Sequence, residues 1–323
     1  MQITRLRNIS RIAYLSIVLL MSTLFSGCTI PPKTDKGITF LAPRGYPFAQ
    51  SIAWSPVDAN KILVVSDAGM GRPGLVEVDI LDVKTGHRDE VVKTEGNIFQ
   101  AVWAPNGKSI LMLVGEVTKG FDPQGWWQVN LEDKSVKFLS NYLGVAWAPD
   151  GKTLAAFTGE AQKGRTGMGN IKLQLIDVDA NSTETVYEPP SSGFVSNPVW
   201  SPDGKFMAFL YGEDLSAEDL YVLNVQTREA VKITENQPYE NPAWSPNGNI
   251  IAVERVGSGK FLFSIHLISS DGKCDIEVPV ADDISSPTWS PNGRKLGYID
   301  MENIYFLDVN QVMGRDIYQG LCP

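Results

Sequence analysis

Few side chains in this 323-residue sequence carry obvious chemistry, with two histidines, His87 and His266, and three cysteines, Cys28, Cys274 and Cys322. His87 stands in the turn sequence Thr85-Gly86-His87-Arg88, and His266 in an apolar run that reads as a strand. Neither has a serine or cysteine at a spacing that would build a nucleophile–base pair, so both read as structural or solvated imidazoles. No Gly-x-Ser-x-Gly elbow occurs, which removes the hydrolase signature that accompanies it. Gly257-Ser258-Gly259-Lys260 lacks the spacing of a phosphate loop and reads as a glycine-rich turn. The run Glu213–Asp219 holds four acids. Its oxygens do not alternate around a glycine as a calcium loop requires, so a solvated acidic loop is expected. Histidines and cysteines at 87, 266, 274 and 322 have no ligand spacing; neither a metal nor a cofactor is expected.

The first 27 residues read as an export signal: Arg5, Arg7 and Arg11 precede an apolar run from Ile12 to Phe25 that ends in small residues. That run is too short to remain as a membrane span. Leu24-Phe25-Ser26-Gly27-Cys28 resembles the lipobox of bacterial lipoproteins, in which cleavage before the cysteine is accompanied by acylation of its thiol and new amino terminus. The resemblance implies that residues 1–27 are removed and that acyl chains on Cys28 hold the protein to a lipid bilayer, since two or more chains on one residue give stable anchoring. Residues 28–37, polar and proline-containing, then form a tether between lipid and domain. Thr29 is not the aspartate associated with inner-membrane retention, so an outer-membrane or periplasmic location follows if the host has two membranes, and otherwise the outer face of the cytoplasmic membrane. With Cys28 lipidated, Cys274 and Cys322 are left either to pair, tying the C-terminal tail to the body, or to stay as free thiols.

The chain has 28 basic and 37 acidic residues and a net charge of -9; loss of the three signal arginines leaves 25 against 37, or -12. Nucleic acid is a poor partner for such a surface, which lacks the cationic excess that phosphate binding needs.

One phrase recurs and identifies the scaffold. Trp54, Trp103, Trp147, Trp200, Trp244 and Trp289 each open Trp-Ser/Ala-Pro, followed in all but the first by Asn/Asp-Gly, at separations of 49, 44, 53, 44 and 45 residues. Proline presets one turn position and glycine supplies a positive φ, so each phrase joins a first strand to a second. Short apolar runs follow, such as Ser109–Val114 and Phe206–Leu210, and then alternating third strands such as Leu220–Asn224. A repeat of this length is one four-stranded blade, and six phrases make an all-β, six-bladed β-propeller over residues 38–323. The recurring tryptophans read as wedges between neighbouring sheets. Blade 1 departs from the pattern, reading Trp54-Ser55-Pro56-Val57-Asp58 without glycine. Ile38–Leu41 and Asp316–Gln319 are both free to supply the outer strand of blade 6. The C-terminal segment is favoured because it follows the third strand of that blade.

Phrase and spacing over residues 38 to 310 resemble the TolB-like, WD-related propeller repeat of bacterial exported proteins. TolB itself carries an α/β domain before its propeller, whereas this tether runs straight into strands, so TolB's particular partners are not carried over.

Irregularity concentrates in the second-to-third-strand connections of blades 1 to 3, which open opposite the proline-glycine hairpins. They bring Arg72, Lys119, Lys163 and Arg165, with Met70, Phe121 and Met168, onto one side of an acidic molecule. Loops on a rigid scaffold are where such folds bind. Either these form a surface whose cations read an acidic partner and whose apolar side chains add contact, or they are plain solvent loops. The expected function is a monomeric, non-enzymatic envelope scaffold that binds a protein, peptide or ligand. The competing class is a propeller glycan lyase or peptide hydrolase with its site in the central channel. The inner strands offer there only Ser51, Gln100, Asn197, Asn241 and Ser286, which are poor acid–base catalysts.

Overall fold

The computed structural model describes residues 38–41, 49–67, 74–115, 118, 120–121, 124–162, 167–180, 182–214, 218–235, 237–257, 263–280, 284–300 and 303–322. The export signal, Cys28, the tether, Met70, Arg72, Lys119, Lys163 and Arg165 lie outside them.

Six antiparallel sheets of four radial positions form a β-propeller. Blade 1 holds β2 (Ala49–Trp54), β3 (Lys61–Asp67), β4 (Leu75–Asp82) and β5 (Arg88–Glu95). Blade 2 holds β6 (Ile98–Trp103), β7 (Ser109–Val114), β8 (Gly125–Asn130) and β9 (Val136–Ser140), and blade 3 holds β10 (Gly144–Trp147), β11 (Thr153–Ala161), β12 (Met168–Asp177) and β13 (Ser182–Tyr187). In blade 4 the inner strand is split into β14 (Phe194–Val195) and β15 (Val199–Trp200), both paired to β16 (Phe206–Gly212), followed by β17 (Asp219–Asn224) and β18 (Glu229–Lys232). Pro198, without an N–H to donate, sits at the split. Blade 5 holds β19 (Tyr239–Trp244), β20 (Ile250–Val256), β21 (Phe263–Ser269) and β22 (Asp275–Glu277); blade 6 holds β23 (Ser285–Trp289), β24 (Lys295–Ile299) and β25 (Ile304–Asp308).

The outer strand of blade 6 is β1 (Ile38–Leu41), antiparallel to β25 with Ile38 opposite Leu307 and Leu41 opposite Ile304. This corrects the expectation that Asp316–Gln319 would close the ring. Pairing the two ends of the barrel of blades removes the exposed edge that β25 would otherwise present. The C-terminal segment instead leaves the sheet through the helix α1 (Val309–Met313), an element that the apolar spacing did not suggest. Asp308 caps it by accepting from the Gln311 N–H at 3.2 Å, and Gly314 stops it in the left-handed conformation (φ 65°). Ile317 and Leu321 are then buried in the blade 5–6 core beside Trp289 and Val309, and Cys322 forms a disulfide with Cys274, with Cα atoms 5.8 Å apart.

The core lies in the seams between blades, as the composition of the strands dictates. Ile110, Leu111 and Met112 of β7 are wholly buried, as are Met207–Leu210 of β16 and Ile251–Val253 of β20, because a second strand packs on a neighbour at both faces. Three of the six repeat tryptophans lock seams by a cross-blade hydrogen bond, whereas the buried indole N–H groups of Trp147 and Trp244 make none. The indole N–H of Trp103 donates to Ala53 O (3.1 Å), that of Trp200 to Ala146 O (3.3 Å) and that of Trp289 to Ala243 O (3.1 Å), in each case the residue just before the preceding blade's tryptophan. Trp54 bonds within its own longer turn, to Ala59 O at 3.0 Å, while its backbone N–H reaches Thr288 Oγ1 of blade 6.

Candidate functional site

Antiparallel blades place the proline-glycine hairpins on one face of the ring, and the second-to-third-strand loops with the inter-blade connections on the other. On this second face, Phe121 and Met168 are the two described members of the loop set. Phe121 is half-buried and edge-on to Trp127 at 5.2 Å, and Met168 is buried in the blade 3–4 core and bridged to Gly193. Both are packing residues, not free apolar contacts; the left-handed Asn170 (φ 51°) breaks the alternation of β12, so that Met168 is buried with Ile171 and Leu173, and Trp127 offers Phe121 a ring to cover.

At the axis, the residue three before each tryptophan is Ser51, Gln100, Gly144, Asn197, Asn241 or Ser286. Asn197 Nδ2 donates to Gln100 Oε1 across blade 3. That reach depends on Gly144, where an added Cβ would lie 2.5 Å from Asn197 Oδ1 and 2.8 Å from its Cα. On the other side of the ring, Asn241 and Ser286 hold left-handed backbones (φ 49° and 55°), each before a proline at an irregularity of its inner strand. Their reward is Glu254. This wholly buried carboxylate of β20 accepts from Asn241 Nδ2 at 2.7 Å and from the Ser286 N–H at 3.1 Å. Two residues at an unfavourable φ are thus offset by charge-assisted hydrogen bonds that join blades 5 and 6 near the axis.

The opposite side of blade 5 carries a second polar group, in the seam with blade 4. Tyr239 donates to Asp275 Oδ2 at 2.6 Å, and His266 Nδ1 is 2.6 Å from Asp275 Oδ1. Partial desolvation of Asp275, whose side chain is 40% exposed, would raise its carboxyl; the bonds from His266 and Tyr239 outweigh it and hold the group below its ordinary range. Burial of Tyr239, with Asp275 nearby, pushes its phenol far up. Arg255 stands opposite Tyr239 in register, and its Nε is buried without a hydrogen-bond acceptor, as is His266 Nε2. His266 is therefore in contact with a carboxylate, but it is 5% exposed and away from the axis, so no substrate-sized group reaches it. His87, by contrast, is exposed beside Asp89 at 3.1 Å.

The acidic run 213–219 divides. Glu213 and Asp214 are exposed, whereas Glu218 (1%) and Asp219 (8%) are buried, against the expectation of a solvated loop. The chain turns inward at Asp219 to begin β17, and Lys232 at 3.4 Å and the Thr234 hydroxyl at 3.4 Å compensate its carboxylate. Among the described residues, no group of three histidines, cysteines or acids is placed to hold a metal ion.

Sequence reasoning overlooked Glu254 and Arg255. Their signal was present: the apolar second strand Ile250–Val253 runs on into an adjacent acid and base, which a buried strand tolerates only with partners or a task.

A family model described as the TolB beta propeller domain matches residues 48–293. The chain belongs to that family. The Tol-Pal system protein TolB of Alcanivorax borkumensis is 31% identical over 83 residues, 25% of this chain and 19% of that protein. An uncharacterized peptidase, YuxL, of Bacillus subtilis is 30% identical over 105 residues, 29% of this chain and 16% of that one. The matches thus span less than a fifth of these curated relatives. TolB from Acinetobacter baumannii aligns with a TM-score of 0.56 at 16% identity, over 83% of this chain and 65% of that structure. An oligogalacturonate lyase in complex with manganese aligns with a TM-score of 0.55 at 11% identity, over 88% and 96%. At such identities the likeness is one of fold, which TolB-family propellers share with enzymes.

Proposed function

We propose that this TolB-family propeller is a non-enzymatic scaffold of the bacterial cell envelope, held to a membrane through acylated Cys28, that binds an envelope protein or peptide on its loop face. The observation that carries the reading is the axial ring Ser51, Gln100, Asn197, Asn241 and Ser286. It offers amides and hydroxyls, the Asn197 amide bonded to Gln100 and the Asn241 amide to Glu254, and such groups bind without being able to exchange protons at neutral pH. The Cys274–Cys322 disulfide supports an oxidising, extracytoplasmic location. The cationic residues Arg72, Lys119, Lys163 and Arg165 of the second-to-third-strand connections suit an acidic partner.

Two measurements test this. Incorporation of labelled palmitate that persists in Cys28→Ser would refute the anchor. Crosslinking in the native envelope should capture a partner, and the double charge reversal Lys163→Glu with Arg165→Glu should abolish that capture; unchanged capture would remove the loop face as the binding surface.

A further inference from the structure

The residue before each repeat tryptophan lies on the other face of the inner strand and so turns toward the next blade, where the following tryptophan must lie over it. Ala53 packs in the seam between blades 1 and 2, Val102 between blades 2 and 3, Val199 between blades 4 and 5, and Ala243 between blades 5 and 6. The three indoles that donate across a seam all reach the carbonyl of an alanine: Trp103 to Ala53, Trp200 to Ala146 and Trp289 to Ala243. The two that face a valine, Trp147 over Val102 and Trp244 over Val199, have buried N–H groups with no hydrogen-bond partner. Alanine leaves the carbonyl open to the indole, whereas the two γ-methyls of valine stand in the approach.

The two valine seams share a second property. Among the described residues, every buried side-chain nitrogen without a hydrogen-bond partner lies in one of them: Trp126 and Trp147 Nε1 between blades 2 and 3, and Trp244 Nε1, Arg255 Nε and His266 Nε2 between blades 4 and 5, where Arg255 and His266 share the face of Tyr239 and Val253. Holding such groups in a closed seam is costly, and opening the seam to water relieves the cost. The other seams are joined. Met168 and Gly193 exchange two backbone bonds, of 2.7 and 2.9 Å, between blade 3 and the start of blade 4. The Ser286 N–H reaches Glu254 between blades 5 and 6, Thr288 Oγ1 takes the Trp54 N–H between blades 6 and 1, and Lys134 Nζ reaches Glu90 O at 3.4 Å between blades 1 and 2. One bond spans a valine seam at the axis, from the Asn197 amide of blade 4 past Gly144 to Gln100 of blade 2.

We propose that the ring is built as two rigid bodies, blades 3–4 and blades 5–6–1–2, which move against each other about the two valine seams, and that the Gln100–Asn197 bond is the latch that holds the moving pair at the axis. Each blade keeps its sheet, and the displacement is taken up where packed sheets meet, as in hinge and shear motions. Outward movement of blades 3 and 4 parts Asn197 from Gln100 and opens the axial channel at Gly144, which the amide bridge spans in the closed ring. The device belongs to the scaffold and stands independently of the partner proposed for the loop face.

Two measurements on the full-length oxidised protein test this. With isotope-labelled tryptophan, indole exchange in heavy water followed by NMR should be about five- to tenfold faster at Trp147 and Trp244 than at Trp103, Trp200 and Trp289, the factor that one hydrogen bond supplies. Val102→Ala and Val199→Ala should each slow exchange at the facing indole by a similar factor, and Ala146→Val should move Trp200 into the fast group. Valine acting only as packing gives the reverse, a cavity and faster exchange, so faster exchange in the two alanine variants overturns the proposal. Pairs of genetically encoded spin labels on exposed outer-strand residues report the motion itself. Glu90 with Lys137 and Thr183 with Glu229, each pair within one body, should give narrow distance distributions. Lys137 with Thr183 and Glu229 with Glu277, each pair across a valine seam, should give broad ones that widen further in Asn197→Ala. Equal widths in every pair, or widths indifferent to Asn197→Ala, would likewise overturn the two-body ring and its latch.

Discussion

His266 Nδ1 and Asp275 Oδ1 lie 2.6 Å apart in the seam between blades 4 and 5, and the remaining oxygen of that carboxylate takes the Tyr239 hydroxyl. A carboxylate placed between two donors from two strands binds the first strand of blade 5 to its fourth.

The consequence for pH follows from the sign of the shift. Asp275 is depressed below its ordinary value of 3.8, so its contribution is fully present above that value and is lost as pH falls through the lower, folded-state value. Acid unfolding monitored by tryptophan fluorescence should show Asp275→Asn to be destabilised by about 1 kcal/mol at neutral pH, solvent screening of this 40% exposed side chain keeping the loss small, with the difference from wild type shrinking below about pH 4. A difference constant down to pH 2 would show that the charge of Asp275 contributes nothing.

The tryptophan ladder predicts a graded series. Trp289→Ala leaves a cavity between blades 5 and 6 and should cost about 3–5 kcal/mol, whereas Trp200→Phe keeps a ring and loses the bond to Ala146 O, costing about 1 kcal/mol from the hydrogen bond. Denaturant titration separates the two; equal losses would show that the ring itself is not what fills the wedge.

Ring closure by β1 predicts unequal effects of trimming the two ends. Removing residues through Leu41 exposes the whole edge of β25 and should produce a broadened thermal transition and concentration-dependent light scattering. A chain ending at Gly314 keeps four strands in blade 6 and should show no concentration-dependent rise in light scattering. Its Tm should nevertheless fall through loss of Ile317 and Leu321 from the core.

Cys274 and Cys322 enclose a loop with a sequence separation of 48, for which the chain-entropy estimate is about 4 kcal/mol. Melting with and without a phosphine reductant, alongside Cys322→Ser, should show a matching drop in Tm, and proteolysis at Arg315 should accelerate in both. Unchanged proteolysis would mean that packing of Ile317 and Leu321 suffices to hold the tail.

The hairpins show why so much of the architecture was legible. A turn phrase is a local code, in which a proline, an amide or acid and a positive-φ glycine act within four residues, and here it is repeated five times with one variant. The blade number, the second strands and the wedge role of tryptophan follow from residues close in sequence. The closing strand does not. Ile38–Leu41 and Asp316–Gln319 are alike as short segments, and choosing between them requires knowing that β25 leads directly into a capped helix while its edge stays within reach of the other terminus.

The sequence by itself determined six blades and which face of the ring is regular, because those depend on short-range turn chemistry and on alternation along strands. Only the tertiary structure decided that the buried Glu254 accepts from Asn241 and Ser286, that Met168 and Phe121 are packing residues, and that Tyr318 packs on Trp289 in the seam between blades 5 and 6. Each of these joins residues from different blades or from the tail, and burial of a polar group or filling of a seam is a property of the neighbours that folding brings to it.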